Sequence, residues 1–126
     1  MQSVKRAQKE ALYLRTISNL FREAASEDSN LKGLSIQRVQ ISPDGSMCTV
    51  FFFTDGGIEQ FEEKLEHLKL YKPSLRRAFA AQLNQRRTPD FIFKFDTQFA
   101  KGERIRQLLD SLHIEDLPDD DDSADE

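Results

Sequence analysis

Ser42-Pro43-Asp44-Gly45-Ser46-Met47-Cys48-Thr49-Val50-Phe51-Phe52-Phe53-Thr54-Asp55-Gly56-Gly57 holds a turn, a strand and a stop signal in one unbroken stretch. Pro43 presets φ at the second turn position, Asp44 tolerates the third, and Gly45 can take positive φ at the fourth, so the chain reverses here and a hairpin follows. Met47 to Thr54 is the strongest strand in the chain, and Asp55-Gly56-Gly57 ends it. Side chains alternate along a strand, so three successive Phe place an aromatic on both faces. This run is expected in the middle of its sheet.

Upstream, Leu34, Ile36, Val39 and Ile41 supply the partner strand. Their alternation changes phase between Ile36 and Val39, which predicts a bulge near Gln37-Arg38. Before it, Val4, Ala7, Ala11, Leu14, Ile17, Leu20, Phe21 and Ala24 recur at steps of three and four, predicting a helix from Val4 to about Ala25 with these residues on its buried face. Downstream, Ile58, Phe61, Leu65 and Leu68 predict a helix that breaks at Leu70-Tyr71-Lys72-Pro73, because proline lacks a donor and restrains the residue before it. Leu75, Ala78, Phe79 and Leu83 continue a second helix to about Gln85, with Pro89 beyond its end. Asp90 to Asp96 alternates Phe91, Phe93 and Phe95 against Ile92 and Lys94, a period-two strand. Phe99, Ile105, Leu108, Leu109 and Leu112 mark a last helix, with Asp96 or Thr97 as its cap.

The order is therefore α-β-β-α-α-β-α: an α+β fold with a three-stranded sheet packed by helices on one face. At 126 residues there is room for one modest core. One domain is expected over residues 1–114. Residues 115–126 carry eight of the 22 acids and no base, and Leu117 to Glu126 has too little apolar surface to offset its ordering entropy, so a disordered acidic tail is expected there. The net charge of −4 thus conceals a body with 18 bases against 14 acids.

Catalytic chemistry finds little support. His67 and His113 are the only imidazoles, and neither stands beside a nucleophile motif or a metal-ligand motif. Glu59, Glu62, Glu63 and Glu66 read as a solvated helix face beside Lys64 and Lys69. Cys48 has no disulfide partner within the chain and reads as a small buried hydrophobe. No catalytic residue, metal, cofactor or small-molecule substrate is expected. No stretch approaches the ~20 apolar residues of a membrane span, so a cytoplasmic protein with no membrane partner is expected, and separately a monomer.

The basic residues are more informative. Lys72, Arg76 and Arg77 cluster at the helix break, and Arg86 and Arg87 close the same helix. Cations, free N–H groups and the helix dipole together favour phosphate. Lys5, Arg6 and Lys9 form a second group, and Lys94, Lys101, Arg104 and Arg106 a third. A phosphate-bearing partner is the expectation from these residues; the alternative is a protein-interaction module whose arginines form an ordinary solvated face. The acidic tail could compete with such a partner for the basic face or serve solubility alone.

Several ordered strings carry a resemblance: Val39-Gln40-Ile41-Ser42-Pro43-Asp44, Leu75-Arg76-Arg77, Leu83-Asn84-Gln85-Arg86-Arg87-Thr88-Pro89, Phe93-Lys94-Phe95-Asp96, and Gly102-Glu103-Arg104-Ile105 with Leu108-Leu109. Over about residues 3–113 the chain resembles the ribosome-binding factor A family of bacterial small-subunit maturation factors. The resemblance implies a type II KH-like fold and a non-enzymatic assembly factor. It would bind the immature 30S subunit through 16S ribosomal RNA and assist late maturation of that RNA. It also points to Arg76 and Arg86, with Arg77, as binding residues. The family's Ala-x-Gly helix break is replaced here by Tyr71-Lys72-Pro73, bulkier than a glycine turn that lets RNA approach the backbone. Tyr71 is then either a base-stacking platform or a packed side chain.

Overall fold

The computed structural model describes residues 4–116, with side chains through residue 112. The tail expected from Leu117 to Glu126 lies outside the described residues, as does the side chain of His113. Helix α1 (Val4–Glu27) leads through a 3-10 turn (Ser29–Leu31) into β1 (Ser35–Ile41) and β2 (Met47–Phe53); α2 (Gly57–Lys69), α3 (Lys72–Leu83), β3 (Asp90–Phe95) and α4 (Thr97–Asp116) follow. The α+β order matches the sequence expectation, and the Phe-rich β2 is central in the order β1-β2-β3. The chain divides into two compact units between Asp96 and Thr97.

The hairpin is built as its residues dictate. The Gly45 amide donates to the Ser42 carbonyl at 2.9 Å, and Gly45 takes φ +77°. The Asp44 carboxylate accepts from the Ser46 amide at 3.0 Å and from the Ser46 and Ser42 hydroxyls at 2.8 Å each. These donors, the Ser46 amide foremost, hold its pKa down from 3.8 to about 2. A depressed carboxylate stabilises the fold above its unfolded pKa, and that contribution is lost as pH falls from about 4 through about 2. Asp44→Asn keeps an acceptor but no titration, so urea unfolding across this window is expected to show a shallower acid limb than wild type.

Strands β1 and β2 are antiparallel, with the register slipping between Ile36 and Arg38, the bulge expected from the phase change. Strands β2 and β3 are parallel, Val50 opposite Phe93. The α2–α3 pair is therefore a crossover connection, as parallel neighbours require.

On one face of β2, Cys48, Val50 and Phe52 are fully buried, and Val39, Ile41, Phe91 and Phe93 extend this floor. Three helices pack on it. Phe52 meets Phe21 of α1 at 5.5 Å between ring centroids, Phe61 of α2 at 6.0 Å and Phe93 at 5.4 Å, while Phe79 of α3 stands edge-on to Phe91 at 5.2 Å. Burial, with the Glu10 carboxylate adding to it, pushes the Cys48 thiol up to about 12, so it packs as a hydrophobe.

The buried face of α1 differs from the sequence expectation. Tyr13, Thr16 and Ile17 are buried, with Leu20, Phe21 and Ala24 partly so, whereas Val4, Ala7 and Ala11 are exposed. The stripe runs through Glu10 and Tyr13 instead. The Glu10 carboxylate accepts from the Ile41 amide at 2.7 Å, so a charged side chain holds a position that periodicity reserves for an apolar one.

Helices α2 and α3 are separated by Leu70 and Tyr71 alone. Pro73 sits in the first turn of α3, where its missing N–H costs nothing. Tyr71 is a packed side chain: its hydroxyl donates to the Asp28 carboxylate, which also accepts from His67 Nε2 at 2.6 Å. Tyr71, His67 and the Asn30 amide hold the Asp28 carboxyl well below the usual carboxylate range. The break thus exchanges a glycine turn for a tyrosine strut.

The second unit contributes α4. Ile105, Leu108, Leu109 and Leu112 lie along it exposed, and Arg106 pairs with Glu103 at 2.8 Å and Asp110 at 3.2 Å.

Candidate nucleic-acid interface

The eight basic residues singled out from sequence fall into two neighbourhoods. Tyr13 joins the first together. Its ring stands edge-on to Phe79 at 4.8 Å, and its hydroxyl donates to Gln85 Oε1 at 2.9 Å. Lys9 Nζ lies 5.7 Å from the same ring. Tyr13 therefore brings the start of α1, with Lys5 and Arg6 one turn before Lys9, beside the loop that carries Arg86 and Arg87. Arg86, Arg87, Lys5 and Lys9 are exposed, and Arg6 is half-buried.

That loop has a defined shape. Asn84 ends α3 in the left-handed region at φ +50°, with its amide on the Ala80 carbonyl at 2.8 Å. Asn is among the few non-glycine residues suited to this conformation. Arg76 then reaches across from α3. Its Nη2 donates to the Thr88 carbonyl at 3.0 Å, its Nε to the Pro89 carbonyl at 3.3 Å, and Asp90 lies 3.5 Å from Nε. Arg76 thus sets the backbone that presents Arg86 and Arg87, while Arg77, beside it in sequence, is exposed. Among the described residues no ion pair engages Arg77, Arg86 or Arg87, and their guanidinium donors face solvent.

Lys72 belongs to the second neighbourhood. Its Nζ stands 5.2 Å from the Phe93 ring centroid, at the opposite end of a twelve-residue helix about 18 Å long. The first turn of α3 lacks one donor at Pro73, which leaves the amides of Lys72 and Ser74 as its remaining donors.

Sequence reasoning missed Tyr13 and Gln85 as the residues that join the two basic groups, and missed the grip of Arg76 on the loop. The available signal was Tyr13 itself, which shares helical phase with Ile17, Leu20 and Ala24. A lysine keeps the charge of Arg76 but cannot span two carbonyls as the planar guanidinium does. Arg76→Lys is expected to speed amide exchange over residues 86–90 while leaving exchange in the sheet unchanged.

Among the described residues no helix is long and apolar enough to cross a membrane, and no group of three or more His, Cys, Asp or Glu side chains could hold a metal ion.

The chain also has clear relatives. It is 34% identical over 92 residues to a ribosome-binding factor A from Syntrophus aciditrophicus, covering 73% of this chain and 75% of that one. It is 31% identical over 111 residues to another from Rhodopseudomonas palustris, covering 86% and 80%. The crystal structure of ribosome-binding factor A from Thermus thermophilus superposes with a TM-score of 0.59 at 28% identity, over 70% of this chain and 92% of that one. A Thermus thermophilus ribosome-binding factor A homology model, fitted into the cryo-EM map of its complex with the 30S subunit, superposes at 0.53 with 26% identity, over 73% and 91%. The family model for ribosome-binding factor A matches residues 5–109, from the first basic turn of α1 to Leu109 of α4, and the chain belongs to that family.

Proposed function

We infer that the protein is a non-enzymatic assembly factor that binds the immature 30S subunit through its 16S ribosomal RNA and assists late maturation of that RNA. The supporting observation is a basic surface assembled from two distant parts of the sequence, α1 and the α3–β3 loop, on a chain of this family. The fit of the related Thermus thermophilus factor into a 30S complex supports the same partner. The proposed contacts are Arg77, Arg86, Arg87, Lys5, Arg6 and Lys9 to phosphates, with Arg76 holding the loop and Lys72 at the far end of α3. The protein acts as a cytoplasmic monomer, its chemistry is recognition alone, and it uses no cofactor. A folded RNA surface is read here by shape and backbone charge more than by base edges.

Co-sedimentation with free 30S subunits, 50S subunits and 70S ribosomes at two salt concentrations tests this reading. The expected result is comigration with free 30S subunits, weakened by salt with a logarithmic slope of roughly 0.7–0.9 per phosphate neutralised. Salt-insensitive binding would instead favour an apolar protein interface, and binding to none of the particles would remove the reading.

A further inference from the structure

Tyr13 of α1 packs on Phe79 of α3 at one end of this helix pair. Toward the other end, Ala24 and Glu27 of α1 and Ser74, Leu75 and Ala78 of α3 line a groove of about 320 Å³. This is roughly the volume of ten liquid waters. Its floor is apolar, formed by Phe52 and Phe93 from the sheet with Leu31 and Leu68, and Leu75 forms part of one wall.

The charged side chains among its lining residues are Glu23 and Glu27. Glu23 and Glu27 stand one turn apart along the α1 side, both exposed, and the α3 side contributes Ser74. Four residues of helix advance about 6 Å. The rim therefore carries two glutamates one helical turn apart beside an apolar slot. The α1 lip of this apolar groove is thus acidic, and Lys72, whose Nζ stands 5.2 Å from the Phe93 ring, lies near its floor.

We propose that this groove binds a basic amphipathic helix of a partner protein, which seats two apolar side chains one turn apart in the slot and sets lysine or arginine against Glu23 and Glu27. The spacing argument is the one by which amphipathic helices lie in apolar grooves through anchors at i and i+3 or i+4. Like spacing along the rim adds charge complementarity at the same period. The groove lies toward the Glu27 and Ser74 end of the helix pair, and the surface of Lys9, Arg86 and Arg87 toward the Tyr13 end, so RNA and protein could be held at once.

The probe is a short amidated peptide of Leu and Lys with leucines at i, i+3, i+4 and i+7. Its controls are the same composition scrambled and a Leu/Glu counterpart, with affinity read by fluorescence anisotropy on the full-length protein at about 0.15 M salt. The scrambled peptide reports any non-specific attraction to the eight acids of residues 115–126. Ala78→Leu fills the slot from α3 and Ala24→Leu fills it from α1, so a folding failure in one leaves the other informative, with circular dichroism as the check. The expected result is binding of the patterned Leu/Lys peptide, weakened about tenfold or more by either filling variant, by Glu23→Lys with Glu27→Lys, and by scrambling. Retention of 30S co-sedimentation by the filling variants is expected alongside. Equal affinity for the scrambled peptide, unchanged affinity in both folded filling variants, or preference for the Leu/Glu peptide would each overturn the proposal. A self-association that the filling variants abolish, with peptide affinity unmoved, would assign the groove to a second copy of this chain and overturn it as well.

Discussion

Reversing Arg77, Arg86 and Arg87 together to Glu is expected to remove binding to the 30S subunit, lowering affinity at least about a hundredfold at moderate salt. Each reversal exchanges a cation proposed to face phosphate for an anion, and three such exchanges at roughly 1 kcal/mol or more apiece exceed two decades. The three side chains are exposed and carry no ion pair among the described residues, so the fold has little to lose. Circular dichroism and the thermal midpoint should stay near wild type while co-sedimentation disappears. The choice of residues matters. Arg76→Glu would combine two effects, because its guanidinium holds the Thr88 and Pro89 carbonyls as well as carrying charge. Full 30S binding by the triple variant would place the RNA surface elsewhere on the chain.

Phe52→Ala is the substitution expected to cost the fold most. The ring is 1% exposed and touches aromatic partners from α1, α2 and β3, so its removal leaves a cavity where three elements converge. Such a truncation costs about 3–5 kcal/mol. A domain of this size has roughly 5–15 kcal/mol in total, and the thermal midpoint should fall by at least about 12 °C. Phe51→Ala supplies the contrast. Phe51 lies on the other face of the same strand, half-buried beneath the Arg38 guanidinium at 3.8 Å from its ring centroid, and its loss should cost clearly less. Equal losses at the two positions would mean that the helices do not discriminate between the faces of β2.

The strongest local signals survived translation into three dimensions because they depend on few atoms. Ser42-Pro43-Asp44-Gly45 specifies its turn through φ preferences and one carboxylate, and the slip between Ile36 and Val39 announces a bulge because period two admits no other remedy. The face of α1 was less legible. Alanines at 7 and 11 read as apolar but carry too little surface to demand burial, whereas Tyr13 and Glu10 are placed inward by hydrogen bonds to Gln85 and Ile41, partners that are remote in sequence. The parallel pairing of β2 with β3 left no residue signature of its own. At the interface, residue type disclosed the cations but not their duties. Arg76 and Arg77 are alike on paper, and only the position of the loop carbonyls makes one a brace and leaves the other exposed. Tyr71 shows the same limit, since its role depends on Asp28, far upstream in the chain.

Glu10 and the bulge have one more consequence, which concerns association between chains. An outermost strand exposes a row of unsatisfied peptide groups that another polypeptide can zip onto, and natural sheets suppress this with irregularities and inward charge. On β1 the row is broken by the slip between Ile36 and Arg38 and closed at Ile41, whose amide is already taken by the Glu10 carboxylate. What remains between Arg38 and Ile41 is shorter than an ordinary strand of five or six residues. Edge-to-edge growth of the sheet at β1 is thus opposed by the bulge and by the Glu10 hydrogen bond, both of which the folded chain supplies by itself.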